Sequence, residues 1–202
     1  MVTEVAVTGM GWSTALGNDL SEVWQRLLNS ETGIAPVESN YQLRNVLAAS
    51  IQSTEKNEAP SDRLYNMTKS CILQALNDAQ LTEKNKKNIL IVGTSFGARL
   101  DDDQEASKKL HEWVDKLADE LGLTPIVLST AGSSASDAIL MGLALIRSGY
   151  ADTCICGGAD ILGETKRLAH SALGTMSPTT IRTFDQARDG TILGEGAGFI
   201  VL

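Results

Sequence analysis

Few side chains in this sequence can do chemistry, and their spacing limits what that chemistry is. Of 202 residues, two are histidines, His111 and His170, and three are cysteines, Cys71, Cys154 and Cys156. Cys154 and Cys156 flank Ile155 in an apolar run, so a strand there turns both thiols to one face. A metal centre needs more ligands than two thiols, and both histidines are distant in sequence, so no metal is expected. An odd number of cysteines inside apolar runs reads as small buried hydrophobes in a reducing compartment rather than a disulfide framework. Hydroxyls are the other candidates. Ser129-Thr130-Ala131-Gly132-Ser133-Ser134 lies between an apolar run, Ile126 to Leu128, and a long apolar stretch, a turn from a strand into a helix. Ser133 or Ser134 as nucleophile needs a base, and none is in view. As caps of the following helix they need no further partner. Gly9-Met10-Gly11 and Gly157-Gly158-Ala159 each follow a strand-like run and invite a dinucleotide-binding reading. That fingerprint needs a third glycine opening a helix. Thr14 stands in its place and the helix cap at Asn18 or Asp19 comes too late, so both read as structural turns and no cofactor is expected.

The elements that must position these residues alternate between strand and helix. Glu4 to Thr8 is rich in β-branched residues and predicts a strand running into the Gly9-Met10-Gly11 turn. Asp19 has capping-box spacing to Glu22, and Leu20, Val23, Trp24, Leu27 and Leu28 give the next helix an apolar face. Residues 30 to 60 are mixed, with one short strand at Val46 to Ile51. Ser61 is placed to cap a second helix whose stripe is Leu64, Met67, Cys71, Ala75, Leu76 and Ala79. Asn88 to Gly93 then reads as a buried strand. Asp101 to Leu121 reads as a helix, with Ala106, Leu110, Trp113, Val114, Leu117 and Leu121 on one side and Gly122 as its stop. Strands follow at Ile126 to Thr130, Thr153 to Gly157 and Gly198 to Leu202. Long helices between strands favour parallel crossovers, so the chain reads as one α/β domain over residues 1–202. Trp12, Trp24 and Trp113 are either interface or core.

One helix says most about the whole. Ala138 to Ile146 is apolar at nine successive positions, hence on every face. Such a helix must be buried all round, and a single sheet covers only one side of it. A second layer, from another half of the fold or another chain, is expected opposite. With a glycine inside, the run is too short to span a bilayer.

Charge narrows the partners. The chain carries 17 basic and 25 acidic residues for a net charge of -8, with an isoelectric point near 4.8. It lacks the cationic surface that nucleic acid requires. No apolar segment of membrane length and no leader-like start are seen, so the location expected is cytoplasmic, with neither membrane nor nucleic acid as partner.

Several blocks in order, VAVTGMGWSTALGNDLSEVWQRLLNSETGI, the STAGSS turn, IRSGYADTCICGGAD and RTFDQARDGTILGEGAGFIVL, resemble the N-terminal half of the β-ketoacyl synthases, members of the thiolase fold. The resemblance implies half of a thiolase-like fold, a five-stranded mixed sheet with flanking helices and one buried central helix. It implies that the position of Gly132 is that of the family's nucleophilic cysteine. There a thiolate attacks an acyl thioester carried by an acyl carrier protein, its pKa lowered by the helix N-terminus. Gly132 has no atom to be acylated, so no catalytic residue is assigned, although its N–H could still serve an oxyanion hole. The segments that carry the family's histidines and its second oxyanion contributor do not occur in this sequence, and His111 and His170 match neither histidine. Gly97 to Ser129 is also shorter than in the family.

What the resemblance implies about role is a non-catalytic, chain-length-factor-like subunit of a type II polyketide or fatty-acid-like system. It would pair with a full-length β-ketoacyl synthase and shape its acyl tunnel. The alternatives are a synthase or decarboxylase fragment that works only with a separate C-terminal half, or a truncated longer synthase. The strand before the nucleophile pairs across the family's dimer axis, which assigns Ile126, Val127, Leu128, Ser129 and Thr130 to the interface, with Ile126→Pro as its test. A chain this acidic is a poor dock for an acidic carrier protein, which is expected to engage mainly through the partner. Asp185, Arg188, Asp189 and Glu195 match a family block near the active-site floor and are read as a buried charge network that holds the loops.

Overall fold

The computed structural model describes residues 4–51, 58–81, 88–102 and 108–202. Its centre is a five-stranded mixed sheet built from β1 (Gly9–Ser13), β4 (Asn88–Gly93), β5 (Thr124–Leu128), β6 (Thr153–Asp160) and β7 (Gly196–Val201), in the spatial order β1-β7-β6-β4-β5. β4 is parallel to β5 and β6, whereas β7 runs antiparallel to both β6 and β1. Parallel crossovers therefore account for only part of the sheet. β2 (Ile34–Pro36) and β3 (Leu47–Ala49) form a separate antiparallel pair.

Alternation along the strands sorts the core into two layers. Leu90 and Val92 of β4 and Ile155 of β6 face one way, against α2 (Pro60–Asp78) and α3 (Glu112–Leu121). Ile89, Ile91, Cys154 and Cys156 face the other way, against α4 (Ser134–Arg147). α1 (Leu20–Leu28) and α5 (Glu164–Ala172) complete the helices.

Glycines set how closely the layers approach. A Cβ on Gly9 would lie 2.4 Å from the Ala75 carbonyl oxygen, and one on Gly11 would lie 2.3 Å from that of Cys71. Gly9-Met10-Gly11 is thus strand, not turn, and its glycines let α2 rest on the β1 backbone. The strand expected at Glu4 to Thr8 is displaced to this position for that reason. On the opposite face, Cβ atoms on Gly93 and Gly142 would come within 2.3 Å of the Ser134 carbonyl carbon and the Cys156 sulfur respectively. α4 is seated through these two contacts.

Other boundaries also move. Asp19 caps α1 as expected, accepting from Glu22 N at 2.8 Å. Of that helix's apolar side, however, only Val23 is buried, and Trp24 is 55% exposed. α2 starts at Pro60 with Ala59 before it, because a proline at the first position suits the donors that lack helical acceptors there; Ser61 instead bonds Asp102. α3 begins at Glu112 and stops at left-handed Gly122 (φ 70°). Ala106, expected on its stripe, lies outside the described residues. Trp113 packs against the first core layer. β5 ends at Leu128, so Ser129 and Thr130 lie in the turn and not in the strand.

α4 departs from complete burial. Ser134, Ala138 and Gly142 are buried against the sheet, while Leu140 is 64% exposed and Ile139 and Met141 are exposed beside it. The reason is simple: no second layer covers that side among the described residues. No described helix is long and apolar enough to cross a membrane.

Candidate functional site

The site is built on the turn between β5 and α4. Ala131, Gly132 and Ser133 form one turn of tighter helix, with Ala131 in the left-handed region at φ 56°. A non-glycine residue there is strained, and the surrounding bonds hold it. Thr130 N donates to Ser134 Oγ (2.9 Å), and Ser134 Oγ donates to the Ala131 carbonyl (2.7 Å). Ser133 Oγ donates to the Thr130 carbonyl (2.9 Å) and lies 3.0 Å from Asp137 Oδ2, which also accepts from Thr130 Oγ1 (2.5 Å). Neither serine accepts from a helix N–H as a cap. They lock the turn instead, Ser134 by folding back on it while buried and Ser133 through Asp137.

Gly132 is exposed at the opening of α4, and a Cβ built on it meets nothing within 4 Å. It is not among the glycines with positive φ. Neither space nor backbone requires glycine at this position. The turn borders a cavity of about 440 Å³. Its apolar lining comes from Phe96, Ile161, Leu162 and Leu193, alongside Ala131 and Gly132. Its polar side holds Asp160, Lys166 and His170. Lys166 Nζ bonds Asp160 Oδ1 at 2.9 Å, and Ser95 N (3.1 Å) and Ser95 Oγ (2.8 Å) donate to the same carboxylate. Ser129 Oγ donates to the Ser95 carbonyl at 2.9 Å, tying the end of β5 to the cavity wall.

The sequence singled out some of these residues and passed over others. His170 is part-exposed and lines the cavity with Gly132, whereas His111 is exposed on the N-terminal side of α3 with Asp115 Oδ2 at 2.6 Å. Lys166 was passed over. Its signal was the four-residue spacing to His170, which puts both on one helix face. Cys154 and Cys156 do share a face but are buried beneath α4, away from the cavity lining. The hydrogen bond with Cys154, together with burial, pushes the Cys156 thiol up.

The four residues read as a charge network do not form one. Glu195 is the buried member, with its side chain 3% exposed, and it pairs with Arg63. Its oxygens accept from Ser50 Oγ (3.0 Å), Ile51 N (2.7 Å) and Leu162 N (3.2 Å), so it fixes Leu162 and the adjoining Gly194 in the cavity wall. Asp189 accepts from Ser177 Oγ at 2.7 Å on a separate loop. Asp185 and Arg188 lie exposed in a turn, where Asp185 accepts from Ala187 N at 2.7 Å. The buried arginine is Arg167, with its side chain 2% exposed, donating to the carbonyls of Val37 and Glu38 at 2.8 Å each. A basic residue in a polar helix carried no sequence signal for such burial.

A mixed sheet whose β5 runs through a locked turn into an apolar central helix is the first half of a thiolase-like architecture. The ishigamide ketosynthase/chain length factor superposes with a TM-score of 0.83 at 24% identity, over 100% of this chain and 58% of that one. A type II polyketide ketosynthase in complex with its acyl carrier protein (AntDE:AntF) superposes with a TM-score of 0.84 at 18% identity, over 100% and 58%. The family profile "Beta-ketoacyl synthase, N-terminal domain" matches residues 2–120 and 117–202, and the chain belongs to that family. It is 27% identical to 3-oxoacyl-[acyl-carrier-protein] synthase 2 of Synechocystis over 98% of this chain and 57% of the relative. It is 28% identical to Nodulation protein E of Rhizobium meliloti over 100% and 58%. The chain thus spans somewhat over half the length of these relatives.

Proposed function

We propose that the chain is a non-catalytic, chain-length-factor-like subunit. It pairs with a complete, cysteine-bearing β-ketoacyl synthase of a type II polyketide or fatty-acid-like system, and the cavity beside Gly132 forms part of the wall of the acyl tunnel. The observation that carries this reading is Gly132 itself. The strand, strained turn and helix that hold a nucleophile are in place, and the position has room for a side chain, yet no nucleophilic atom is there. A thiolate at this point would be stabilised by the helix N-terminus. A glycine leaves only backbone and an apolar wall, which suit passage of an acyl chain better than its transfer.

β5 is the proposed contact with the partner. It is an edge strand, and the apolar outer side of α4 lies on the same side of the sheet as the side chains of Ile126 and Leu128. The acidic carrier protein engages through the partner, because a subunit at -8 repels it.

Co-expression with a cysteine-bearing ketosynthase encoded nearby, followed by native mass spectrometry, tests the reading. The expected species is a one-to-one complex whose condensing activity depends on the partner's cysteine. A lone homodimer, or an acetyl product formed from malonyl-loaded carrier protein by the isolated chain, would overturn it.

A further inference from the structure

Three strand ends are gathered at one carboxylate. Asp160 is the last residue of β6, which pairs with β4. Its oxygens accept from Lys166 Nζ (2.9 Å), Ser95 Oγ (2.8 Å), Ser95 N (3.1 Å) and Thr94 Oγ1 (3.2 Å). The Thr94 hydroxyl has one proton and gives it to the carboxylate, so its oxygen is left to accept from Gly97 N at 3.2 Å. Bonds to an ionised acceptor are the strong ones, and Asp160 fixes the segment leaving β4 more firmly than a neutral partner would.

That segment in turn holds the end of β5 and the turn that follows it. Thr94 N donates to the Leu128 carbonyl (3.0 Å) and Ser129 Oγ to the Ser95 carbonyl (2.9 Å). Ser134 Oγ, which locks the turn, lies 3.4 Å from the Thr94 carbonyl. The turn needs such support. Ala131 sits at φ 56°, and a strained residue persists only where its surroundings over-determine it. The hold of Asp160 on the turn therefore runs through Thr94 and Ser95.

We infer that Asp160 is a positioning residue for the turn at Gly132: by fixing Thr94 and Ser95 it keeps Ala131 and Gly132 in the cavity wall and keeps the cavity shaped for an acyl chain. The link to an acyl chain rests on the tunnel reading; the hold on the turn does not. Two readouts on the 202-residue chain separate them. Amide exchange followed by NMR reports the turn through Thr130 N, bonded to Ser134 Oγ, and Ser134 N, bonded to the Ala131 carbonyl. Cys154 N, bonded to the Leu202 carbonyl, is the reference for the sheet. Calorimetric titration with octanoyl-N-acetylcysteamine reports the acyl chain. Asp160→Asn is expected to quicken exchange at Thr130 and Ser134 about tenfold, to leave Cys154 at the parent rate and to weaken octanoyl binding about fivefold. Asp160 itself lines the cavity, so the second variant is Thr94→Val, at a fully buried position outside the lining. It should move both readouts the same way by about threefold. Parent exchange rates at Thr130 and Ser134 in both variants, or equal quickening at Cys154, would overturn the inference and leave the tunnel reading intact. Quickened exchange with unaltered octanoyl affinity would refute the link to the acyl chain. Failure of the parent protein to bind the probe would refute the tunnel reading, while the exchange rates still decide the role of Asp160.

Discussion

At position 132 the missing side chain and the available space point in opposite directions. A glycine retained for its backbone would show positive φ or a clash on adding a Cβ, as Gly93 and Gly142 do with their neighbours. Gly132 shows neither, so a cysteine there should be tolerated. Gly132→Cys is expected to unfold within a degree or two of the parent and to be alkylated by iodoacetamide in the native state, as read by intact mass. Cys71, Cys154 and Cys156 are buried and should stay unmodified. Failure to label the new thiol would mean that the turn is closed in solution. A second prediction concerns Cys71, whose thiol burial pushes from 9.0 up to about 12. The unfolded chain loses this proton first, so the stabilisation is complete below pH 9 and is lost as pH rises toward 12. Urea midpoints should therefore fall across that window. Cys71→Ala should make the fall shallower by up to about 1.4 kcal/mol per pH unit, the value of one proton.

At the scale of elements, the two outer strands are managed differently. On β1 the outward N–H groups of Met10 and Trp12 donate to Asp78 Oδ2 (2.9 Å) and Gln74 Oε1 (2.8 Å) of α2, which closes that edge. On β5 the Leu128 carbonyl accepts from Thr94 N at 3.0 Å, so alternation turns Ile126 and Leu128 toward β4 and Pro125 and Val127 toward the open side. Pro125 spends its missing donor there, in keeping with an edge. Ile126→Pro would then damage the chain's own sheet and report on folding; the substitution suited to testing the partner contact is Val127→Pro. It should leave the circular dichroism spectrum unchanged and abolish the complex with the synthase, and a surviving complex would exclude β5 as the contact. The seating of α4 makes a separate prediction. Gly142→Ala places a methyl 2.3 Å from the Cys156 sulfur and should cost about 1–3 kcal/mol in chemical denaturation.

Across the whole molecule, long-range ties converge on the cavity wall. Glu195 joins Arg63 on α2, the end of the β2–β3 pair and Leu162. Glu195→Ala leaves the Ile51 and Leu162 N–H groups without this acceptor, and Arg63, 24% exposed, without its counter-ion. A loss of about 2–4 kcal/mol is expected, below that for a fully buried pair because water reaches the guanidinium. The exposed Leu140 side of α4 leaves room for the opposite layer, from another half of the fold or another chain, that the unbroken apolar run from Ala138 to Ile146 predicts.

The local pattern was sufficient for much of this. Apolar runs and glycine stops placed four of the five strands of the main sheet within a few residues and put the first at Glu4 to Thr8, ahead of the observed β1, while the order of the STAGSS and RTFDQARDG blocks led to the family and to the reading of Gly132 at the nucleophile's position. Those signals are contiguous in the chain, and contiguity is what a sequence displays. Tertiary structure decided the rest. It made strand of Gly9-Met10-Gly11, because the need for glycine arises only when α2 lies against it. It separated Glu195 from Asp185 and Arg188, which are near in sequence but differ in burial. It brought His170, which matches neither family histidine, into the lining of the cavity with Gly132, 38 residues earlier in the chain. Burial, close approach and the convergence of distant segments are properties of packing, and they exist only once the sheet has brought those segments together.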